Sequence, residues 1–171
     1  MENKDNLFLG FKGMGNSSGL LVTELSKNLS LSDASDSNNF CLLTNSFLGV
    51  KRGIDSIPGT YEKVILFGCD KTLKDGVRLE RFAEKNRTKF ETSLDLALLS
   101  KKLTDDGIAN TISVTPTHYL CNEAYWYALK KFEGKAVFIH IPTLKNIDKS
   151  FISKMKEFNY GILDGTFTSS R

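Results

Sequence analysis

The sequence predicts an α/β protein: a three-layer α/β/α sandwich around a mixed, mostly parallel sheet. Short apolar stretches alternate with helix-period stretches along most of the chain, as in strand–helix–strand units. The run Tyr61–Gly68 (YEKVILFG) is almost continuously apolar and stopped by glycine. That is the pattern of a central strand buried on both faces. The chain has 171 residues, 40% hydrophobic and 25% charged, ordinary usage for a chain with one core. Residues 1–171 are therefore expected to form a single domain.

Taken in order, Leu7–Phe11 reads as a short buried strand. A Gly/Ser/Asn turn, GMGNSSG, leads into a helix over Leu20–Leu29. Residues 30–39 are small and polar and read as an exposed loop. Phe40–Asn45 is the second strand and Tyr61–Gly68 the third. Gly76–Asn86 is ambiguous, although Val77 and Leu79 alternate with charges as in a strand. Thr92–Thr104 carries Leu94, Ala97, Leu98 and Lys101 at helical spacing, with Thr92 or Ser93 as cap. Asp106–Gly107 is a turn, and Thr111–Val114 a short strand broken by Pro116. Tyr119–Phe132 is a helix with Leu120, Ala124, Tyr127 and Ala128 on one face. Ala136–Ile141 is a strand ended by Pro142, Asp148–Phe158 a last helix, and GTFTSSR a loose tail. In open α/β sheets ligands bind beyond the carboxyl ends of strands. The positions after Leu9, Thr44, Gly68, Val114 and Ile139 are therefore the ones that can carry a site.

Composition narrows the function classes. The net charge is +3 and the basic residues are scattered, so no nucleic-acid-binding face is expected. No apolar run approaches the roughly 18 residues of a membrane span, and no membrane partner is expected. The N-terminus MENKDNLFLG does not read as a signal peptide, which implies a cytoplasmic protein. Cys41, Cys69 and Cys121 then default to free thiols. Two histidines without HxxxH and three cysteines without CxxC give no metal signature. The Gly10–Ser18 loop has glycines spaced GxxGxG with no Gly-Lys-Ser/Thr, so both nucleotide fingerprints fail. Tyr125, Trp126 and Tyr127 are consecutive and cannot share one helical face.

Cys121 follows a strand, a proline turn and the first residues of a helix. Helix-start amides and the helix dipole favour a thiolate and can hold a developing oxyanion. The bland alternative is a small buried apolar residue. His140 ends the strand VFIHIP, on the face opposite Val137, Ile139 and Ile141. It can reach the same crevice and serve as base, or it can simply be hydrogen-bonded at the sheet edge. His118 is too close in sequence to Cys121 to face it well. Glu80, Glu84 and Glu91 all could orient an imidazole, and spacing does not choose among them.

Four segments, in order, carry a resemblance to a known family: LFLGFKGMGNSS, CLLTNSF, VILFG with GVRLERFAEKN, and SVTPTHYLCNEAYWYAL with VFIHIP. Together they resemble the pyroglutamyl peptidase I (pyrrolidone-carboxylate peptidase) family of cysteine peptidases. YLCN and FIHIP are the most specific pieces. The resemblance implies a phosphorylase/hydrolase-like sandwich and a triad of Glu80, Cys121 and His140. It implies removal of an N-terminal pyroglutamyl residue from a peptide through a thioester, with no cofactor and no metal. Phe11, Met14, Thr44, Tyr119 and Leu120 match substrate-pocket positions, and association of like chains is implied as well.

The chain departs from the family pattern in places. Met14 replaces a loop aromatic, Gly13 a proline, and Asn16 a glycine. Pro116-Thr117-His118 replaces a glycine-containing turn. A longer segment bearing an oxyanion arginine is absent after Glu80, and Arg87 is a nearby but inexact substitute. The alternative function is a diverged member that hydrolyses another small amide or only binds a peptide N-terminus.

Overall fold

The computed structural model describes residues 4–29 and 39–163. The tail GTFTSSR and nearly all of the expected 30–39 loop lie outside the described residues. One sheet contains β1 (Lys4–Phe11), β2 (Phe40–Leu43), β3 (Tyr61–Cys69), β4 (Val77–Glu80), β7 (Asn110–Ile112) and β8 (Ala136–Ile141). Their order across the sheet is β2-β1-β3-β8-β4-β7. The first four run parallel to one another, β4 runs antiparallel to β8, and β7 runs parallel to β4. The helices are α1 (Ser17–Leu29), α2 (Phe47–Ser56), α3 (Leu96–Asp105), α4 (Tyr119–Lys131) and α5 (Lys149–Leu163).

Both faces of the sheet are covered, which is why β3 and β8 are apolar at nearly every position. Val64, Leu66, Ala136 and Phe138 pack with Val50 and Ile54 of α2 and with Ala124, Tyr125 and Ala128 of α4. Ile65, Phe67, Val137 and Ile139 pack on the other face with residues of α1, α3 and α5. The expected three-layer α/β/α sandwich with a mixed, mostly parallel sheet is the observed architecture.

Several elements differ from expectation. Helix α2 carries Gly49 and Gly53, which lower helix propensity and hide it from a periodicity reading. Both glycines are contact positions. A Cβ on Gly49 would stand 2.7 Å from Thr44 Cβ, and one on Gly53 3.0 Å from Leu43 Cδ2. The Ser46 side chain caps α2 by accepting from Gly49 N at 3.0 Å. Helix α1 begins at Ser17, earlier than expected, because Gly10 and Gly19 let strand and helix meet: a Cβ on Gly19 would lie 2.4 Å from Phe11 O.

The ambiguous stretch 76–86 divides. After β4 comes a hairpin of β5 (Phe82–Lys85) and β6 (Thr88–Glu91). Its turn residues Asn86 and Arg87 both have positive φ, 51° and 64°, as a two-residue type I′ turn requires. Asp95, not Thr92 or Ser93, caps α3, accepting from Leu98 N at 2.9 Å. Thr92 Oγ1 instead accepts from Leu94 N in a local turn. Strand β7 ends at Ile112, short of the expected Val114. Of the three consecutive aromatics, Tyr125 is fully buried and Trp126 and Tyr127 are half-buried.

Candidate active site

The carboxyl ends of β3 and β8 and the start of α4 meet at one cleft of about 800 Å³. Its lining includes Asp70, Arg78, Glu80, Tyr119, Leu120, Cys121 and His140. Gly68 pairs with His140 across β3 and β8. A Cβ at Gly68 would stand 3.1 Å from Cys121 Sγ and 2.4 Å from the Phe138 ring. The missing side chain is what lets the thiol lie down on the sheet beside His140.

His140 is buried, and its Nδ1 lies 2.7 Å from Glu80 Oε1. A carboxylate acceptor fixes the proton on Nδ1 and leaves Nε2 as the basic nitrogen. The Phe138 ring packs against the imidazole at a centroid distance of 4.7 Å. Tyr125 of α4 donates its hydroxyl to the Glu80 backbone oxygen at 2.8 Å, tying the helix that carries Cys121 to the strand that carries Glu80. Asn122 clamps the same helix to the β5–β6 hairpin. Its Oδ1 accepts from Glu84 N at 3.2 Å and its Nδ2 donates to Glu84 O at 2.8 Å. Cys121 lies in the first turn of α4, where amides have no helical carbonyl behind them. Just before it, Tyr119 has φ of 54°, a conformation rare for a bulky residue.

Comparison with solved structures identifies the fold. No protein-family model matches the chain, and no curated protein does. Solved structures do. The pyrrolidone carboxyl peptidase of the keratin-degrading bacterium Fervidobacterium islandicum superposes with TM-score 0.70 and 18% identity, covering 96% of this chain and 98% of that one. The enzyme of Thermococcus litoralis gives TM-score 0.65 and 23% identity, covering 94% of each chain. Pyroglutamyl peptidase I of Bacillus amyloliquefaciens gives TM-score 0.64 and 16% identity, covering 92% of each. The chain has the pyrrolidone carboxyl peptidase fold. At these identities the likeness is one of fold, and the chemistry rests on this chain's own residues.

On this pyrrolidone carboxyl peptidase fold the residues singled out from sequence are placed unevenly. Glu80 and His140 are hydrogen-bonded, and Cys121, Tyr119 and Leu120 line the same cleft. Phe11 is buried against Phe138 at 6.4 Å between centroids and does not line the cleft. Met14 is fully exposed, and Thr44 stands exposed beside Gly49; neither reaches the cleft lining. His118 lines the cleft but stands exposed, its ring against Tyr119. Glu84 and Glu91 are exposed on the hairpin, as is Arg87 at its turn.

Sequence reasoning missed Asp70 and Arg78. Arg78 Nε donates to Glu80 Oε1 at 2.8 Å and its Nη2 to Asp70 Oδ2 at 2.6 Å. The signal available was the Arg-x-Glu spacing on a strand, which puts both side chains on one face.

Burial opposes ionisation of Glu80, but hydrogen bonds from His140 and Arg78 outweigh it and hold the carboxyl below its usual range. Burial likewise opposes the charge on Asp70, and donors from Thr72 and Arg78 overcome it, bringing it to about 2. Cys121 goes the other way. Burial, then Cys69, Glu80 and Asp70, push its thiol up to about 12. The expectation of a helix-stabilised thiolate is therefore corrected: desolvation and nearby negative groups outweigh the helix start. Among the described residues no cluster of His, Cys, Asp or Glu is arranged to hold a metal ion, and no helix is long and apolar enough to cross a membrane.

Proposed function

We propose that the protein is a cysteine peptidase that removes pyroglutamyl residues from peptide N-termini. The observation that carries this is the buried Glu80–His140 hydrogen bond of 2.7 Å, lying beside Cys121 in one cleft of a pyrrolidone carboxyl peptidase fold. His140 Nε2 takes the thiol proton as Cys121 Sγ attacks the pyroglutamyl carbonyl carbon. First-turn amides of α4 face the developing oxyanion. The tetrahedral intermediate collapses as His140 returns the proton to the leaving amine, giving a thioester and a shortened peptide. Water, deprotonated by His140, then attacks the thioester; pyroglutamate leaves and the thiol is restored. Glu80 holds the imidazole in the working tautomer throughout.

Because the resting thiol is held protonated, proton transfer and attack are coupled in this site. No preformed thiolate–imidazolium pair is needed. Tyr119 and Leu120, which line the cleft, are the residues assigned to contact the substrate. One observation favours a second reading, hydrolysis of a different small amide: the cleft beside Cys121 carries the Asp70–Arg78 ion pair, while Phe11, Met14 and Thr44 stand away from it.

The test is hydrolysis of pyroglutamyl-aminomethylcoumarin by the wild type beside Cys121→Ser. Release of fluorophore that falls by at least about a thousandfold in Cys121→Ser establishes both activity and nucleophile. Folded wild type that releases none, yet cleaves other aminoacyl-coumarins, transfers the site to the second reading.

A further inference from the structure

Arg78 stands between two carboxylates in the cleft. Its Nε hydrogen bond ends on Glu80 Oε1, the same oxygen that accepts from His140 Nδ1. Guanidinium and imidazole therefore share one acceptor. The register of β4 against β8 puts Arg78 directly opposite His140, and strand alternation puts Glu80 on the same face. Asp70, at the end of β3, accepts from Arg78 Nη2, and its other oxygen accepts from both Thr72 N and Thr72 Oγ1 at 2.7 Å.

We propose that Arg78 is a positioning residue for the Glu80–His140 pair, and that Asp70 sets how strongly Arg78 acts. This rests on the hydrolase reading of the cleft. A carboxylate as buried as Glu80, 1% exposed, stays ionised only while donors compensate its lost hydration. His140 supplies one donor, and Arg78 supplies a second through Nε, while Nη2 of the same planar guanidinium is anchored on Asp70, so the group is held in place between the two carboxylates. Arg78 has an opposing effect as well. Its charge lies across the strand pair from the imidazole, which must become cationic when it takes the thiol proton. The carboxylate of Asp70 offsets that charge. The Asp70–Arg78 pair thus orients Glu80 with little net positive field at His140. Lysine would keep the charge but lose the fork.

The ionisable groups that act on Glu80 or feel it are Arg78 on its own strand, His140 on β8, and Cys121 and Tyr125 on α4; Cys69, Asp70, Lys71, His118 and Tyr119 line the same cleft. With Arg78 removed, Asp70 and burial both favour protonated Glu80.

The experiment is the pH profile of kcat/KM for wild type, Arg78→Gln, Arg78→Lys and Asp70→Asn. Arg78→Gln is expected to lose about ten- to a hundredfold, the effect of one hydrogen bond to a charged group, and to move the acid limb to higher pH. Arg78→Lys should return the limb toward the wild-type position while the rate stays low. Asp70→Asn should lower the rate without moving the limb upward. Losses equal at every pH, with the limb unmoved in Arg78→Gln, overturn the proposal. If the wild type hydrolyses no amide, the hydrolase reading fails, and proton NMR decides the positioning role separately. The chain has only two histidines, and His118 is exposed, so the low-field Nδ1–H signal belongs to His140. That signal should persist to lower pH in wild type than in Arg78→Gln. Identical behaviour in the two proteins overturns the role.

Discussion

At the scale of single residues, the site is a balance of charges held out of water. Cys121 is the clearest case. A thiol pushed up to about 12 is protonated at neutral pH, and the thiol form is a poor nucleophile. Without substrate, Cys121 is therefore expected to react with iodoacetamide at pH 7 more slowly than free cysteine, with the rate climbing only at strongly alkaline pH. Mass spectrometry of the alkylated Cys121 peptide across pH checks this. Fast labelling below pH 7 would show a thiolate and refute the coupled attack. The sequence made the chemistry of Cys121 and His140 legible, because each falls at an element end where α/β crevices form. Spacing alone left Glu80 tied with Glu84 and Glu91, and only the family resemblance chose it; in the structure burial separates them, Glu80 being 1% exposed and the other two lying on the hairpin surface. The sequence concealed the high thiol pKa, because the burial that chiefly raises it comes from tertiary packing, and the negative groups that add to it, Cys69, Glu80 and Asp70, are remote in sequence from Cys121.

At the scale of elements, the position of the nucleophile depends on how closely α4 approaches the sheet. Gly68 is the spacer. Gly68→Ala would place a methyl 2.4 Å from the Phe138 ring and 3.1 Å from Cys121 Sγ. Its backbone does not need glycine for conformational reasons, since Gly68 is not among the positive-φ glycines. The substitution is expected to cost about 1–3 kcal/mol by overpacking and to reduce kcat far more than it raises KM. Urea unfolding beside steady-state kinetics separates the two effects, and unchanged kcat would refute the spacer role. Apolar runs made β1, β3 and β8 legible, and helical periodicity made α4 and α5 legible. Helix α2 was hidden by the two glycines that its packing on β2 requires. The hairpin was hidden because Asn86-Arg87 lacks the glycine that usually marks a type I′ turn. The reversed direction of β4, which sets Arg78 opposite His140, follows from tertiary pairing alone.

At the scale of the whole molecule, the same carboxylates link acidity to stability. Asp70 titrates near 2 in the folded protein against about 3.9 unfolded. Glu80 is also depressed. A depressed carboxylate stabilises the fold at pH above its unfolded value, and that stability disappears as pH falls through the folded value. For Asp70 the window is therefore about pH 4 down to 2, and the effect is on the order of 2 kcal/mol. Urea midpoints measured at pH 7 and again within that window should fall less in Asp70→Asn than in wild type. Equal falls would mean that Asp70 contributes nothing to acid unfolding.

The strand order has a consequence for biosynthesis. Strand β8 is the last of the sheet in sequence, yet it sits between β3 and β4. A ribosome that has made every other strand has made two half-sheets with facing open edges, the kind of edge that invites aggregation. The same late strand brings His140. A nascent chain stopped before Ala136 thus carries its thiol without its base, and closing the last gap in the sheet is also what arms the cleft.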